Sequence, residues 1–122
     1  MIAKLRCIVE STGDGQAVLD VNGVGYLIFC SARTLGRLSK GDMASVLVET
    51  HVREDHIHLY GFIDDAEKDW FKILTNVQGV GGRVGLAILS ALTPDQLVQA
   101  IAAQDKAVLT QADGVGPKLA AR

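Results

Sequence analysis

The strongest constraint on this chain is a repeat. Val77-Gln78-Gly79-Val80-Gly81-Gly82-Arg83-Val84-Gly85 returns 35 residues later as Ala112-Asp113-Gly114-Val115-Gly116-Pro117-Lys118-Leu119-Ala120. In each copy a helical run leads to Gly-Val-Gly, then one residue, a base and further apolar residues. Two glycines let the backbone turn tightly and leave no side chain to bar a close approach. The valine between them can pin the turn into the core. The N–H groups that open the following helix then face outward, where they suit a phosphate. Arg83 or Lys118, at the start of that helix, adds a charge.

Two other glycine-rich readings fail. The last glycine of Gly79–Gly85 is one residue late for a dinucleotide fingerprint, and the segment before it has helical rather than strand periodicity. No Gly-Lys-Ser/Thr follows, so a phosphate-binding P-loop is excluded. A single Gly-x-Gly would read as a helix cap or a loop. Two copies in register, each followed by a base, read as tandem helix-hairpin-helix motifs, which grip the sugar-phosphate backbone without reading sequence. The candidate DNA-binding residues are Gly79, Val80, Gly81 and Arg83 in the first motif, and Gly114, Val115, Gly116, Lys118 and Arg122 in the second.

The rest of the second half fits a helical domain. Asp64-Asp65-Ala66-Glu67-Lys68-Asp69 opens a helix, its acids favoured by the macrodipole. Trp70, Phe71, Leu74 and Val77 follow at helical spacing. Val84, Ala87, Ile88, Leu89 and Leu92 make a second stripe. Thr93-Pro94-Asp95-Gln96 is a helix start, with a Thr cap, Pro in first position and Gln three residues on. Leu97, Val98 and Ile101 are its expected apolar face. Asp105 is expected to cap a helix carrying Ala107, Val108 and Leu109, which Asp113–Gly116 breaks before Pro117 begins the next.

The first half alternates with period two, the mark of half-buried strands. Ala3, Leu5, Cys7 and Val9 share a face over residues 2–10, and Ala17, Leu19 and Val21 over 16–21. Asn22-Gly23 is hairpin-turn chemistry. Residues 24–30 are apolar on both faces, as in a strand covered on both sides. Residues 44–52 and 57–63 supply two more strands, joined by Arg53-Glu54-Asp55-His56. Five short strands fit an OB-type barrel, though an SH3-like barrel has a similar pattern. The predicted fold is α+β: a five-stranded OB-type barrel over 1–63, then an all-α tandem helix-hairpin-helix domain over 64–122, with the boundary near 63–65.

The net charge of −2 argues against holding nucleic acid by bulk positive charge. Each half carries six basic and seven acidic side chains, but residues 70–122 carry five basic and three acidic. Positive charge therefore concentrates around the glycine clusters. Cys7 and Cys30, with no secretory signal, read as reduced apolar side chains. No apolar run is long enough to span a bilayer. His51, His56 and His58 lie close together, but nothing completes a familiar zinc pattern. Tyr60 and Phe62 could stack on bases, but barrel packing is their simpler use, as domain packing is for Trp70 and Phe71. No nucleophile–base arrangement or nucleotide site is visible, so no catalytic residue, metal or cofactor is expected.

Met1–Arg6, Asn22-Gly23-Val24-Gly25-Tyr26, Val52-Arg53-Glu54-Asp55, Leu59-Tyr60-Gly61-Phe62 and both Gly-Val-Gly hairpins together resemble the RuvA family, along the whole chain and in the family's order. These are the Holliday-junction-binding subunits of the bacterial branch-migration complex. The resemblance implies a non-catalytic, cytoplasmic homotetramer, singly or in pairs, that holds four-way junction DNA open. It implies hairpin contacts to phosphates, and an acidic pin at Glu54 and Asp55 that repels them at the crossover. It implies two protein partners, the hexameric ATPase motor RuvB and the junction resolvase RuvC. The family continues into a third, motor-binding domain absent here, so the chain is expected to be a fragment whose second motif is cut short. The alternatives are a generic helix-hairpin-helix DNA-repair accessory module, a nucleotide-binding enzyme using Gly79–Gly85, and a protein-interaction module.

Overall fold

The computed structural model describes residues 1–104 and Ala120. Its first unit is a closed barrel of five strands: β1 (Lys4–Thr12), β2 (Gln16–Val21), β3 (Val24–Cys30), β4 (Met43–Val52) and β5 (Ile57–Phe62). The order around the barrel is β1-β2-β3-β5-β4, and β4 pairs back onto β1. Every pairing is antiparallel except β3 with β5, a parallel seam of two residue pairs, Phe29 with Tyr60 and Cys30 with Gly61. This is the OB-type barrel expected from the strand count.

The alternation places the core. Leu5, Cys7 and Val9, then Ala17 and Leu19, then Ile28 and Cys30, then Val46 and Val48 are buried, and Leu59 and Leu38 join them. Asn22 and Gly23 take φ of 52° and 89°, the left-handed pair a tight hairpin needs, and Asp20 Oδ1 accepts from Gly23 N–H at 2.7 Å. Between Val9 and Ser11 the pairing register of β1 shifts, a bulge that bends the strand.

Two expectations about apolar faces need correction. The strand over 24–30 is not covered on both sides: Leu27, on the face opposite Ile28 and Cys30, is 46% exposed, and Val24 at the strand's start is 54% exposed. A barrel strand has one interior face, and the outer face of β3 carries apolar residues that the described chain leaves open. In the helix after Thr93, the buried residues are Leu97 and Ala100, while Val98 and Ile101 are 53% and 50% exposed. Leu97 and Ala100 stand three apart and share one side of the helix; Val98 and Ile101 lie one position round.

The strand reading leaves a short helix unnoticed. α1 (Ala32–Leu35) follows β3, and the Ser31 hydroxyl caps it by accepting from Thr34 N–H at 3.2 Å. α1 holds one side of a buried polar cluster. Ser31 Oγ donates to Glu67 Oε2 at 2.8 Å, and Thr34 Oγ1 donates to Glu67 Oε1. Thr34 Oγ1 also accepts from Ile63 N–H at 3.3 Å. Arg33 reaches Asp64 Oδ2 at 3.0 Å and Glu67 Oε2 at 3.6 Å. Ser31, Thr34 and Glu67 are all fully buried.

Glu67 belongs to α2 (Asp65–Thr75), which is followed by α3 (Gly82–Ala91) and α4 (Pro94–Ala102). The chain divides into two compact units at Lys68/Asp69, inside α2. The first turn of α2 is bound into the barrel's polar cluster, so it falls in the barrel unit. α4 begins as its sequence predicts, with Thr93 and Gln96 forming a capping box and Pro94 in the first turn. No single helix among the described residues is long and apolar enough to cross a membrane.

Three outcomes follow from this packing. A Cβ at Gly61 would stand 2.6 Å from Ile28 Cδ1 and 3.0 Å from Val46 Cγ1. Gly61→Ala is therefore expected to cost about 1–3 kcal/mol, read as a lower urea midpoint with an unchanged slope. Glu67→Ala leaves two buried hydroxyls without their acceptor and takes from Arg33 one of its two carboxylate partners, and is expected to cost about 3 kcal/mol in the same assay. Burial pushes the Cys30 thiol up to about 12, and Cys7 is raised as well. Both free thiols should react with Ellman's reagent at pH 8 only as fast as the barrel opens.

Candidate nucleic-acid interface

The first hairpin is built by the end of α2, the turn Asn76–Gly81 and the start of α3. After α2 the chain turns tightly, with Val77 N–H donating to Leu74 O at 3.1 Å and Val80 N–H to Val77 O at 3.0 Å. Gly79 sits at φ 93°, in the left-handed region that a side chain disfavours. Val80, between the glycines, is 8% exposed and pins the turn inward. Gly85 lets the two helices approach closely: a Cβ there would meet Thr75 Cγ2 at 3.2 Å and the Phe71 ring at 3.3 Å.

Gly81 is the N-cap of α3, in extended conformation at φ −87° and ψ −177°. The first bond of α3 runs from Gly85 N–H to Gly81 O at 2.9 Å. The N–H groups of Gly82, Arg83 and Val84 precede that bond and have no partner in the helical ladder. Among the described residues, α3 is the helix whose start no side chain caps. Ser31 caps α1, Asp64 Oδ1 accepts from Glu67 N–H at 2.9 Å in α2, and Thr93 caps α4. A Cβ added at Gly81 would meet nothing within 4 Å. The helix start is thus bare and open, with the exposed Arg83 on its first turn. Anions suit such a start, through oriented N–H groups and the positive end of the helix dipole.

The element before Gly79 is a helix, so the dinucleotide reading, which needs a strand there, is overturned. Of the second motif, Gly114, Val115, Gly116, Lys118 and Arg122 lie outside the described residues, as do Asp105, Ala107, Val108, Leu109, Asp113 and Pro117.

Glu54 and Asp55 stand at the tip of the β4–β5 hairpin, which Arg53 N–H closes onto His56 O at 2.8 Å. Both acids are exposed. The sequence did not reveal the company they keep. His56 Nδ1 lies 2.7 Å from Asp55 Oδ1, and this hydrogen bond holds the Asp55 carboxyl below the usual carboxylate range. The His56 ring stacks on His58 with centroids 4.1 Å apart. His58 faces His51 across the β4–β5 pairing and lies 5.0 Å from the Phe29 ring. Burial and then Arg53 lower the pKa of His51, against a weaker upward pull from Glu49. Tyr60 and Phe62 are buried, at 7% and 0% exposure, on the face of β5 opposite the core residue Leu59, and the Tyr60 ring lies against Phe29, His51 and His58. No three His, Cys, Asp or Glu side chains among the described residues are placed to hold a metal ion.

Comparison with known proteins gives two family matches that together span nearly the whole chain. Residues 1–61 match the RuvA N terminal domain, and residues 71–122 match the SAM-like helix-hairpin-helix tandem. The chain belongs to the RuvA family. Relatives of this family named Holliday junction branch migration complex subunit RuvA align over all of the chain. The protein of Paramagnetospirillum magneticum is 62% identical, and those of Rhodospirillum centenum and Methylorubrum populi are 59% and 58% identical. The chain spans 58%, 60% and 59% of their respective lengths. The tandem match covers both Gly-Val-Gly segments, so the repeat is the family's helix-hairpin-helix pair.

The bare cap of this RuvA-family hairpin can be tested on stability alone. Gly81→Asp puts an N-cap carboxylate into open space at an ordinary φ. It should leave the urea midpoint of the folded chain unchanged or raise its stability by a few tenths of a kcal/mol. A marked loss would show that Gly81 is there for packing.

Proposed function

We propose that the chain binds four-way DNA junctions by their phosphate backbones, as a tetramer, and holds them open for branch migration by an ATP-driven partner. The observation that carries this reading is the uncapped start of α3. Gly79, Val80 and Gly81 make a rigid turn that presents free N–H groups to an anion, and Arg83 adds a charge beside them. The relatives' name supplies the junction and the branch-migration complex.

On this reading Gly114, Val115, Gly116, Lys118 and Arg122 repeat the contact at the second hairpin. Backbone contacts carry no sequence information, so selectivity comes from junction shape and from engaging several arms at once. A symmetric tetramer multiplies a modest site, which reconciles DNA binding with a net charge of −2. Four hairpin tips bearing Glu54 and Asp55 would gather at the crossover, where their carboxylates repel phosphates and keep the strands parted. The chain itself does no chemistry. The motor RuvB supplies ATP-driven movement, and the resolvase RuvC cuts the junction.

Gel-shift titrations test this reading. A synthetic four-way junction should bind far more tightly than linear duplex of equal length and composition; equal affinity at moderate salt would sink the proposal. Arg83→Ala should weaken binding across sequences and flatten the salt dependence by roughly one unit of slope per subunit in contact. Gly81→Asp should weaken it further while the fold stays intact. Glu54→Gln with Asp55→Asn should tighten junction binding or relax its preference over duplex, and unchanged binding would remove the repulsive role from the tip.

A further inference from the structure

We infer that His56 is a third working residue of the acidic tip, whose imidazole, stacked on His58 and bonded to Asp55, sets the charge the tip presents to a phosphate. A carboxylate can only accept, so the 2.7 Å contact is an N–H of the imidazole donating to Asp55 Oδ1. A second proton on the ring turns that hydrogen bond into an ion pair. Imidazole is the side chain that changes charge between pH 5 and 8.

The groups around the pair bound what it can do. On the tip itself are Asp55, Glu54 and Arg53, whose Nη1 donates to Val52 O at 3.1 Å. On β5 are His58 and Tyr60, the phenol oxygen lying 3.4 Å from His58 Nδ1. On β4 are His51, opposite His58, and Glu49, opposite Tyr60. From β3 the facing group is the uncharged Phe29 ring. His56 is the ring in contact with a carboxylate, with a side chain 41% exposed.

With neutral imidazoles the segment 53–56 carries one base and two acids. One proton cancels the excess. A tip that repels phosphate when its rings are neutral thus carries no net charge once one proton is bound, an effect felt over about one Debye length, roughly 8–10 Å. The inference deepens the junction-binding reading and rests on it for its consequence, but not for its proton.

The experiment has two arms. In the free protein, NMR follows the His56 ring and the Asp55 carboxyl carbon from pH 8 to pH 5. The expected result is an Asp55 signal that moves with the His56 titration, still does so in His58→Ala, where the bond remains, and loses that transition in His56→Ala, where the bond is removed. An Asp55 signal that ignores His56 overturns the inference. In the second arm, affinity for a synthetic four-way junction is measured against linear duplex at pH 8 and pH 6. The junction-specific gain on acidification should be about three-fold or more in the native chain and absent in His56→Ala. His56→Lys should give at pH 8 the affinity the native chain reaches at pH 6. An equal gain in His56→Ala overturns the role of His56. Failure of every protein to prefer the junction at any pH rejects the junction reading instead, and the NMR arm then decides the inference alone.

Discussion

A buried carboxylate organises the barrel unit. Glu67 has no exposed surface, and an isolated charge in that position would be prohibitively unstable. It persists because two hydroxyls donate to it and Arg33 stands within ion-pair distance. Each of those partners comes from the segment between β3 and β4, so the arrangement fixes α1 against the opening of α2. Breaking one side would leave the other side buried and unsatisfied, which is the costly way to lose such a cluster. The barrel's strands supply apolar area; this cluster decides where the chain goes after β5.

The described helices begin in two ways. α1, α2 and α4 satisfy their leading N–H groups with Ser31, Asp64 and Thr93. α3 begins at a glycine and leaves its leading groups outward. A stability-driven sequence would place an oxygen at residue 81, where nothing blocks one. The absent cap is a local rule broken at a site with a use for the unfilled positions.

Much of this was legible because it is local. Alternation gave the strand faces, Asn22-Gly23 the hairpin, and Thr93-Pro94-Asp95-Gln96 the start of α4. The repeated Gly-Val-Gly marked the hairpin, since a left-handed residue, an inward valine and an open cap all leave traces in residue type. What stayed hidden depends on partners distant in the chain. Glu67 reads as a first-turn acid favouring the dipole, and only Ser31 and Thr34, over thirty residues away, make it a core residue. Gly61 reads as an ordinary strand glycine until Ile28 and Val46 are seen to fill the place of its side chain. α1 is four residues long, too short for a period to show. The His56–Asp55 contact is adjacent in sequence, yet its meaning comes from His58 stacked beneath it.

The position of Glu67 also sets where the barrel can be cut. The family's N-terminal segment is matched over residues 1–61, and the last strand ends at Phe62. A barrel excised there contains all five strands and the complete apolar core. It lacks the carboxylate that its own Ser31 and Thr34 hydroxyls bond to, and the Asp64 that holds Arg33. The smallest autonomous piece is therefore longer than its sheet and runs at least through Lys68, so this barrel is portable only with the first turn of a helix whose remainder belongs to the next unit.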